Sequence, residues 1–510
     1  MIYAIVSVLI AAGAAAQLRY LCLSQNNDYV FAPSHAFGVF YLPIAAFDVA
    51  VFVLISLGLT VSAQIIPFAL IPSIFLLSFT VWKIFSFRIK FKFSRRGTIY
   101  LIFNEILYFL ICGIFAIIAK NDAIWGLIVC SIILYFPLIS KLMEYPLNAY
   151  YTSKNHKFII EQKKRLSAIN PIVVGITGSY GKTSCKKILE FLIKDKFITV
   201  ATEKNFNTPI GIALTVQKMK GNEQVFIAEL GARKAGDISE LCSIAEPQYA
   251  IISGVCEQHL ETFGSIENIY NEKFKLAKAV AGRGVCVFNT NDKYVLRMWK
   301  EHVGEKIAAS SYKCGDVYAD GVALSRRGAE FTLHIGKEVR KCVTSLLGRH
   351  NVQNIVMCAA MAHTLGCSID EIAYKIRILP QIEHRLEYKY ANGVNIIDDG
   401  YNGNVQGVKS AFEVLSLFPH RRIVVSQGIV ELGEKSCELN GDIGEKLSRV
   451  ADIVILCGVN AKFIDEGLKI ANYVGTVFIE KNFTYVQKRI KEIIRQGDTL
   501  LLQNDVPDFY

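Results

Sequence analysis

The stretch Pro171-Ile172-Val173-Val174-Gly175-Ile176-Thr177-Gly178-Ser179-Tyr180-Gly181-Lys182-Thr183-Ser184-Cys185-Lys186-Lys187-Ile188-Leu189-Glu190 decides how this chain folds. Its β-branched run from Ile172 to Ile176 predicts a buried strand, and the residues from Ser184 onward predict a helix with Ile188 and Leu189 turned inward. Between them, glycines allow backbone N–H groups to curl around a phosphate, and the N-terminus of the following helix favours negative charge. Gly178, Ser179, Gly181 and Ser184 would line such a loop, Lys182 would reach the outer phosphates, and the Thr183 hydroxyl would ligate Mg²⁺. The strict Gly-x-x-x-x-Gly-Lys-Ser/Thr spacing is not met, because position 176 is Ile. Gly-Lys-Thr also occurs in ordinary turns; the strand before it and the helix after it supply the context a nucleotide-phosphate loop requires.

Upstream of this stretch the chain changes character. Of its 510 residues 52% are hydrophobic, and the excess lies at the front, in apolar runs from Ile2 to Ala16, Ala45 to Ala63, Ile65 to Ile84, Thr98 to Ala119 and Ala123 to Ser140. These approach the length of about 20 residues needed to span a bilayer, so residues 1–150 are expected to form a helical transmembrane domain of five spans, or four if the first is cleaved or interfacial. Lys83, Arg88, Lys90, Lys92, Arg95 and Arg96 follow the third run, and Lys154, Lys157, Lys163, Lys164 and Arg165 follow the fifth. By the positive-inside rule both clusters belong in the cytoplasm, which predicts a multi-pass protein of the plasma membrane with its catalytic part inside. Most of the net charge of +11 falls before residue 171, so the basicity points to anionic membrane lipid rather than nucleic acid. Asp48, near the start of the second run, is either a functional intramembrane acid or an interfacial one. Thirteen cysteines without a Cys-x-x-Cys pair suggest neither a zinc site nor a disulfide framework.

Downstream, strands and helices alternate, which predicts an α/β layer structure. Strands ending at Glu229, near Val255 and at Asn289 would place Glu229, His259 and Asn289 at the carboxyl edge of a parallel sheet, beside the phosphate loop. Thr183 and Glu229 offer oxygen ligands for Mg²⁺. Ser265 should cap a helix running to about Ala281, with Lys273 on its apolar stripe of Ile266, Ile269, Tyr270, Phe274, Ala277 and Val280. A lysine there either snorkels, is chemically neutralised, or pairs with a bound anion or metal. Residues 305 to 345 predict short extended segments without chemistry, and Leu347-Gly348-Arg349-His350-Asn351 leads into a long helix through His363, rich in Ala and Met. From Val394 a second alternation predicts a Rossmann-like domain, with the polar run Asp398-Asp399-Gly400-Tyr401-Asn402-Gly403-Asn404 between strand and helix.

Taken together, these motifs resemble the Mur ligase family, most closely its D-alanyl-D-alanine-adding branch. The matching runs are Thr177 to Ser184, Asn205-Phe206-Asn207-Thr208 with Ile210-Gly211, Glu229-Leu230-Gly231-Ala232, and His259 to Ser265 leading to Lys273. Gly348 to Asn354, His384-Arg385, Asp398 to Asn402 and Glu431-Leu432-Gly433 complete the set. The resemblance implies an ATP-binding central domain over 151–383 and a C-terminal domain over 384–510. It implies an ATP-dependent ligase of cell-envelope synthesis that phosphorylates a carboxylate and lets an amine displace the phosphate. In that scheme Lys182, His259 and Lys273 are catalytic, and Thr183, Glu229, His259 and a carbamylated Lys273 serve metals. Asn289, Asn351, Arg385 and Asp399 lie near the nucleotide, and the partners are ATP, a peptidoglycan-precursor-like acceptor and an amino acid or dipeptide amine.

The chain departs from the family where the acceptor and amine would be read. Membrane spans are expected where the family has a soluble N-terminal domain for the uridine nucleotide. Asn402-Gly403-Asn404-Val405 stands where Ala and Pro are common, Asn440 where His is usual, and the C-terminus lacks a Lys-Gly-Ser run. Another amine such as glutamate, a lipid-linked acceptor, and an inactive ATP-binding membrane scaffold therefore stand as alternatives.

Overall fold

The computed structural model describes residues 148–505 except 204, 205 and 402. A helix over 148–169 leads into a sheet of nine strands. These are β1 (Ile172–Thr177), β2 (Thr199–Ala201), β3 (Val225–Glu229), β4 (Tyr249–Ile252), β5 (Cys286–Asn289), β6 (Lys306–Ser310), β7 (Val317–Ser325), β8 (Gly328–Ile335) and β9 (Glu338–Thr344). The spatial order is β2-β3-β1-β4-β5-β6-β7-β8-β9. Pairing is parallel as far as β7, and β7-β8-β9 continue as an antiparallel arm. From β1 the chain runs out to the far edge at β2, returns to β3, and crosses over to β4 on the other side of β1. The strand order thus reverses beside the carboxyl end of β1, where ligands of open α/β sheets bind.

Between these strands lie α1 (Lys182–Ile193), α2 (Pro209–Gln217), α3 (Asp237–Ala245), the single turn α4 (Leu260–Phe263), α5 (Ile266–Val280) and α6 (Lys293–Glu301). After the arm come α7 (Arg349–Thr364) and α8 (Ile369–Arg377). The central strands are apolar without a break because both faces are covered. Val174, Ile176 and Ile227 join one core with residues of α1, α7 and α8, and their neighbours Val173, Phe226 and Ala228 join another with α2, α3 and α5.

A second sheet of six strands follows: β10 (Glu387–Ala391), β11 (Val394–Tyr401), β12 (Arg422–Ser426), β13 (Ile453–Cys457), β14 (Thr476–Glu480) and β15 (Thr499–Asp505), in the order β10-β11-β15-β12-β13-β14. Only β10 is antiparallel. The helices α9 (Val405–Ser416), α10 (Ser436–Leu447), α11 (Ala461–Ile470) and α12 (Phe483–Ile493) connect its strands. Asp398 to Tyr401 of the polar run end β11, and Asn404 caps α9 by accepting from Gln406 N at 3.1 Å and Gly407 N at 2.9 Å. Asn404 is thereby the N-cap of α9, a position that favours Asn.

The membrane part of the sequence expectation is corrected. Among the described residues no helix is long and apolar enough to cross a membrane. The long helix over 148–169 carries Lys154, Lys157, Glu161, Lys163, Lys164 and Arg165, many of them exposed, so its composition suits water rather than hydrocarbon. The five expected runs, Asp48 and the basic loop at 83–96 lie outside the described residues. The architecture described is two α/β domains, and no described helix supports a transmembrane domain, a plasma-membrane location or a membrane-lipid partner.

Candidate active site

The loop between β1 and α1 is held from behind. Ser179 N donates to Gly254 O at 2.7 Å, and Lys182 Nζ donates to Gly178 O at 2.6 Å. Gly178 and Gly181 have φ of 153° and 79°, and a Cβ on Gly181 would come within 2.9 Å of Asn354 Oδ1. Glycine is required at 181 on both counts. As the residue before α1, Gly181 provides no side-chain cap, and no acidic residue lies in the first turn, so the helix N–H groups there remain open to an anion. Burial, reinforced by the Arg385 charge and opposed by Glu229, lowers the pKa of Lys182. An anion in the loop would relieve that cost.

Tyr180 fastens the loop in a way the sequence did not reveal. Its hydroxyl donates to Asp292 Oδ2 at 2.7 Å, and Asp292 also accepts from Val255 N and from the first turn of α6. Burial and then Asp292 push the tyrosine pKa upward. Its ring lies against Gly254, where a Cβ would overlap it. Gly254→Ala is therefore expected to expel the ring, destabilise the protein by about 1–3 kcal/mol as overpacking does, and weaken ATP binding. Thermal melts and nucleotide binding isotherms check this, and an alanine variant with unchanged melting and binding would show that Tyr180 does not hold the loop.

At the end of β3, Glu229 is 2% exposed. Thr183 Oγ1 lies 3.3 and 3.1 Å from its two oxygens, Asn207 Nδ2 lies 3.4 Å from Oε1, and Lys186 Nζ lies 2.9 Å from Oε2. Thr183 and Lys186 are three residues apart on α1 and so share a face. That spacing was the available signal for Lys186, which the sequence reading passed over. A hydroxyl and a carboxylate converging at the foot of the phosphate loop are hard oxygen donors suited to Mg²⁺.

Lys273 is 3% exposed on α5, whose first turn Ser265 caps at Asn268 N. Among the described residues it makes no hydrogen bond or ion pair. Burial first, then the charge of Lys182, lower its pKa to about 7, against the opposing pull of Glu272 and Asp237. Its neighbour Glu272 is committed elsewhere, accepting from Gly236 N at 3.0 Å and Ile238 N at 2.7 Å to close the N-terminus of α3. His259, with φ of 54° just before α4, does not bond to Lys273. Its Nδ1 meets Glu431 Oε2 of the second sheet domain, and that contact holds the Glu431 pKa down.

Between the two sheet domains lies a cavity of about 380 Å³. Its floor is Tyr180, Gly181, Ser184 and Asn289, and its far wall is Arg385 and Asp399. Asn289 is held by donating to Ser253 O at 2.6 Å. Burial raises the pKa of Asp399 to about 7, although Arg385 opposes it. Asn351 does not line the cavity: it is 1% exposed and donates to Leu347 O at 2.9 Å. Its neighbours Arg349 and His350 line it instead. Arg349 also stacks on Tyr312 at 5.0 Å, and burial lowers the His350 pKa to about 4.

A phosphate loop at the switch point of one α/β domain, with a second α/β domain completing the cavity, defines the class as a two-domain α/β protein built to hold a nucleotide phosphate. The chain belongs to the Mur ligase family: residues 176–362 match the Mur ligase middle domain, and residues 384–503 match the "Mur ligase, glutamate ligase domain". It is 27% identical over 334 residues to the UDP-N-acetylmuramoyl-tripeptide–D-alanyl-D-alanine ligase of Escherichia coli, covering 65% of this chain and 73% of that one. It is 30% identical over 291 residues to the ligase of the same name from Mycobacterium tuberculosis, of which it spans only 57%. Among solved structures, MurF from Acinetobacter baumannii superposes with a TM-score of 0.63 at 24% identity, over 69% of this chain and 77% of that one. MurF ligase from Thermotoga maritima in complex with ADP gives 0.62 at 24%, over 69% and 80%. At such identities the structural likeness speaks to the fold.

Proposed function

We propose that this chain uses ATP to join a carboxylate of a peptidoglycan-precursor-like acceptor to an amine, in the manner of the D-alanyl-D-alanine-adding ligases it resembles. UDP-N-acetylmuramoyl-tripeptide and D-alanyl-D-alanine are the first candidates. Residues 151–383 would hold ATP, and residues 384–510 would complete the site. One observation carries the reading: Lys182, Thr183 and Glu229 converge at the sheet's switch point, with the unpaired Lys273 buried within range of the Lys182 charge.

Gly178, Ser179, Gly181 and Ser184 would cradle the phosphates, and Lys182 would turn from Gly178 O to the outer phosphate oxygens. Thr183 and Glu229 would hold Mg²⁺, which when bound spreads the charge developing on the transferred phosphoryl group. Asn289, Arg385 and Asp399 would face the nucleotide from the cavity walls, and Asn351 would support that wall from behind. A carboxylate oxygen of the acceptor bonds to the γ-phosphorus as the bond to the β–γ bridging oxygen breaks and ADP leaves. The amine nitrogen then attacks the acyl carbon, phosphate departs, and the amine gives up a proton. Lys273, as a neutral amine, would add CO₂ to form an N-carboxylate with loss of a proton. That anion, with His259 once released from Glu431, would serve a second metal. Enclosure between the domains would keep water from the acyl phosphate.

The test is ADP release by the full chain against a panel crossing UDP-N-acetylmuramoyl-tripeptide and other carboxylate acceptors with D-alanyl-D-alanine, glutamate and other amines. Release that requires both the tripeptide and D-alanyl-D-alanine is expected. Release with glutamate alone as the amine would reassign the amine, and no release with any pair would overturn the reading.

A further inference from the structure

We propose that Lys186 is a positioning residue that makes metal capture at Glu229 depend on nucleotide. The inference rests on the reading that Thr183 and Glu229 hold Mg²⁺. Lys186 and Glu229 form an ion pair of 2.9 Å in which the side chains are 3% and 2% exposed. A buried carboxylate beside a hydroxyl is a strong site for a lone divalent cation, since little water competes and the effective dielectric is low. The Lys186 ammonium removes that advantage: its charge offsets that of Glu229 and repels a second cation. Thr183 Oγ1 lies 3.3 and 3.1 Å from the two Glu229 oxygens and Asn207 Nδ2 3.4 Å from Oε1, so Glu229 stays aimed at the loop while Lys186 offsets its charge. Nucleotide phosphates arriving in the loop add the negative charge that makes cation binding favourable. Metal and ATP would then enter together, and a divalent ion alone would not occupy the loop.

Mn²⁺ and a non-hydrolysable ATP analogue serve as probes with the full chain, read by electron paramagnetic resonance and by melting temperature. Lys186→Gln retains a hydrogen-bond donor without the charge, and Lys186→Arg retains the charge. The wild type is expected to bind Mn²⁺ weakly alone and strongly with the analogue. Lys186→Gln is expected to bind Mn²⁺ alone at least about tenfold more tightly, which corresponds to about 1.4 kcal/mol, and to gain melting temperature from Mn²⁺ alone. Lys186→Arg should behave as wild type. Equal nucleotide-free Mn²⁺ affinity in wild type and Lys186→Gln, both folded, overturns the proposal. Glu229→Gln separates the two levels. If it leaves Mn²⁺ binding with the analogue unchanged, the metal does not sit at Glu229 and the underlying reading fails. If it abolishes that binding while Lys186→Gln changes nothing, only the role of Lys186 fails.

Discussion

Lys182→Ala is expected to lower ATP turnover by on the order of 10²–10³-fold with the fold intact. Lys182 caps no helix, and among the described residues its hydrogen bond is to Gly178 O within its own loop. Its ammonium is held, at a cost in burial that lowers its pKa, beside helix N–H groups that no side chain satisfies. The removal of a charge placed there for an anion should cost little stability and much rate. Circular dichroism and melting would establish the fold, and steady-state ADP release the rate. Normal turnover in the folded variant would remove the phosphate-loop assignment, and with it the ordering of the whole site.

Lys273→Ala is expected to be inactive and to recover part of its activity when a small carboxylate such as formate or acetate fills the space. The side chain is buried, unpaired and has its pKa drawn down to about 7. Below that pH it is an ammonium, which cannot add CO₂; above it the free amine can. Activity should therefore rise between about pH 6 and 8 and depend on bicarbonate. In CO₂-free buffer the folded protein binds fewer protons at this residue than the unfolded chain between the folded pKa near 7 and the ordinary lysine value of 10.5. Stability should accordingly rise with pH across that window and be flat below it. High activity of the alanine variant without added carboxylate, in buffer stripped of CO₂, would rule the modification out.

The phosphate loop was legible because glycine at two positive-φ positions and a strand-to-helix switch leave a local pattern, Ile172 to Leu189. The strands β11, β12, β13 and β15 were legible for a similar reason, since apolar runs such as Ile453 to Cys457 are covered on both faces. By contrast, β10 carries Tyr390 and other exposed residues on an edge and shows no apolar run. Residues 305–345 looked like separate extended segments, yet β6 to β9 extend the central sheet, with β7-β8-β9 joined as hairpins that close at Ser325/Gly328 and Ile335/Glu338. The unreadable parts of the site are those made by distant partners. Tyr180 and Asp292 are 112 residues apart, and His259 and Glu431 are 172 apart. The Asn440 substitution becomes intelligible only in space: fully buried, it accepts from Ile429 N at 2.8 Å and donates to Ile429 O and Ser436 O. It thereby fixes the turn that carries Glu431 towards His259. The apolar runs before residue 148 and the basic clusters beside them set the transmembrane part of the fold-class expectation, which no helix among the described residues supports.

The central claim is that the acceptor carboxylate attacks ATP directly. An acceptor that supports ADP release, labelled with ¹⁸O in both oxygens of the reacting carboxylate, tests it when the released phosphate and the amide product are analysed by mass spectrometry. Attack on the γ-phosphorus followed by amine displacement transfers one labelled oxygen to phosphate and leaves the other in the amide. One ¹⁸O per phosphate released is the expected result. Unlabelled phosphate, released while the acceptor keeps both labelled oxygens or while the amide forms, would mean that ATP is hydrolysed by water, and would contradict the account.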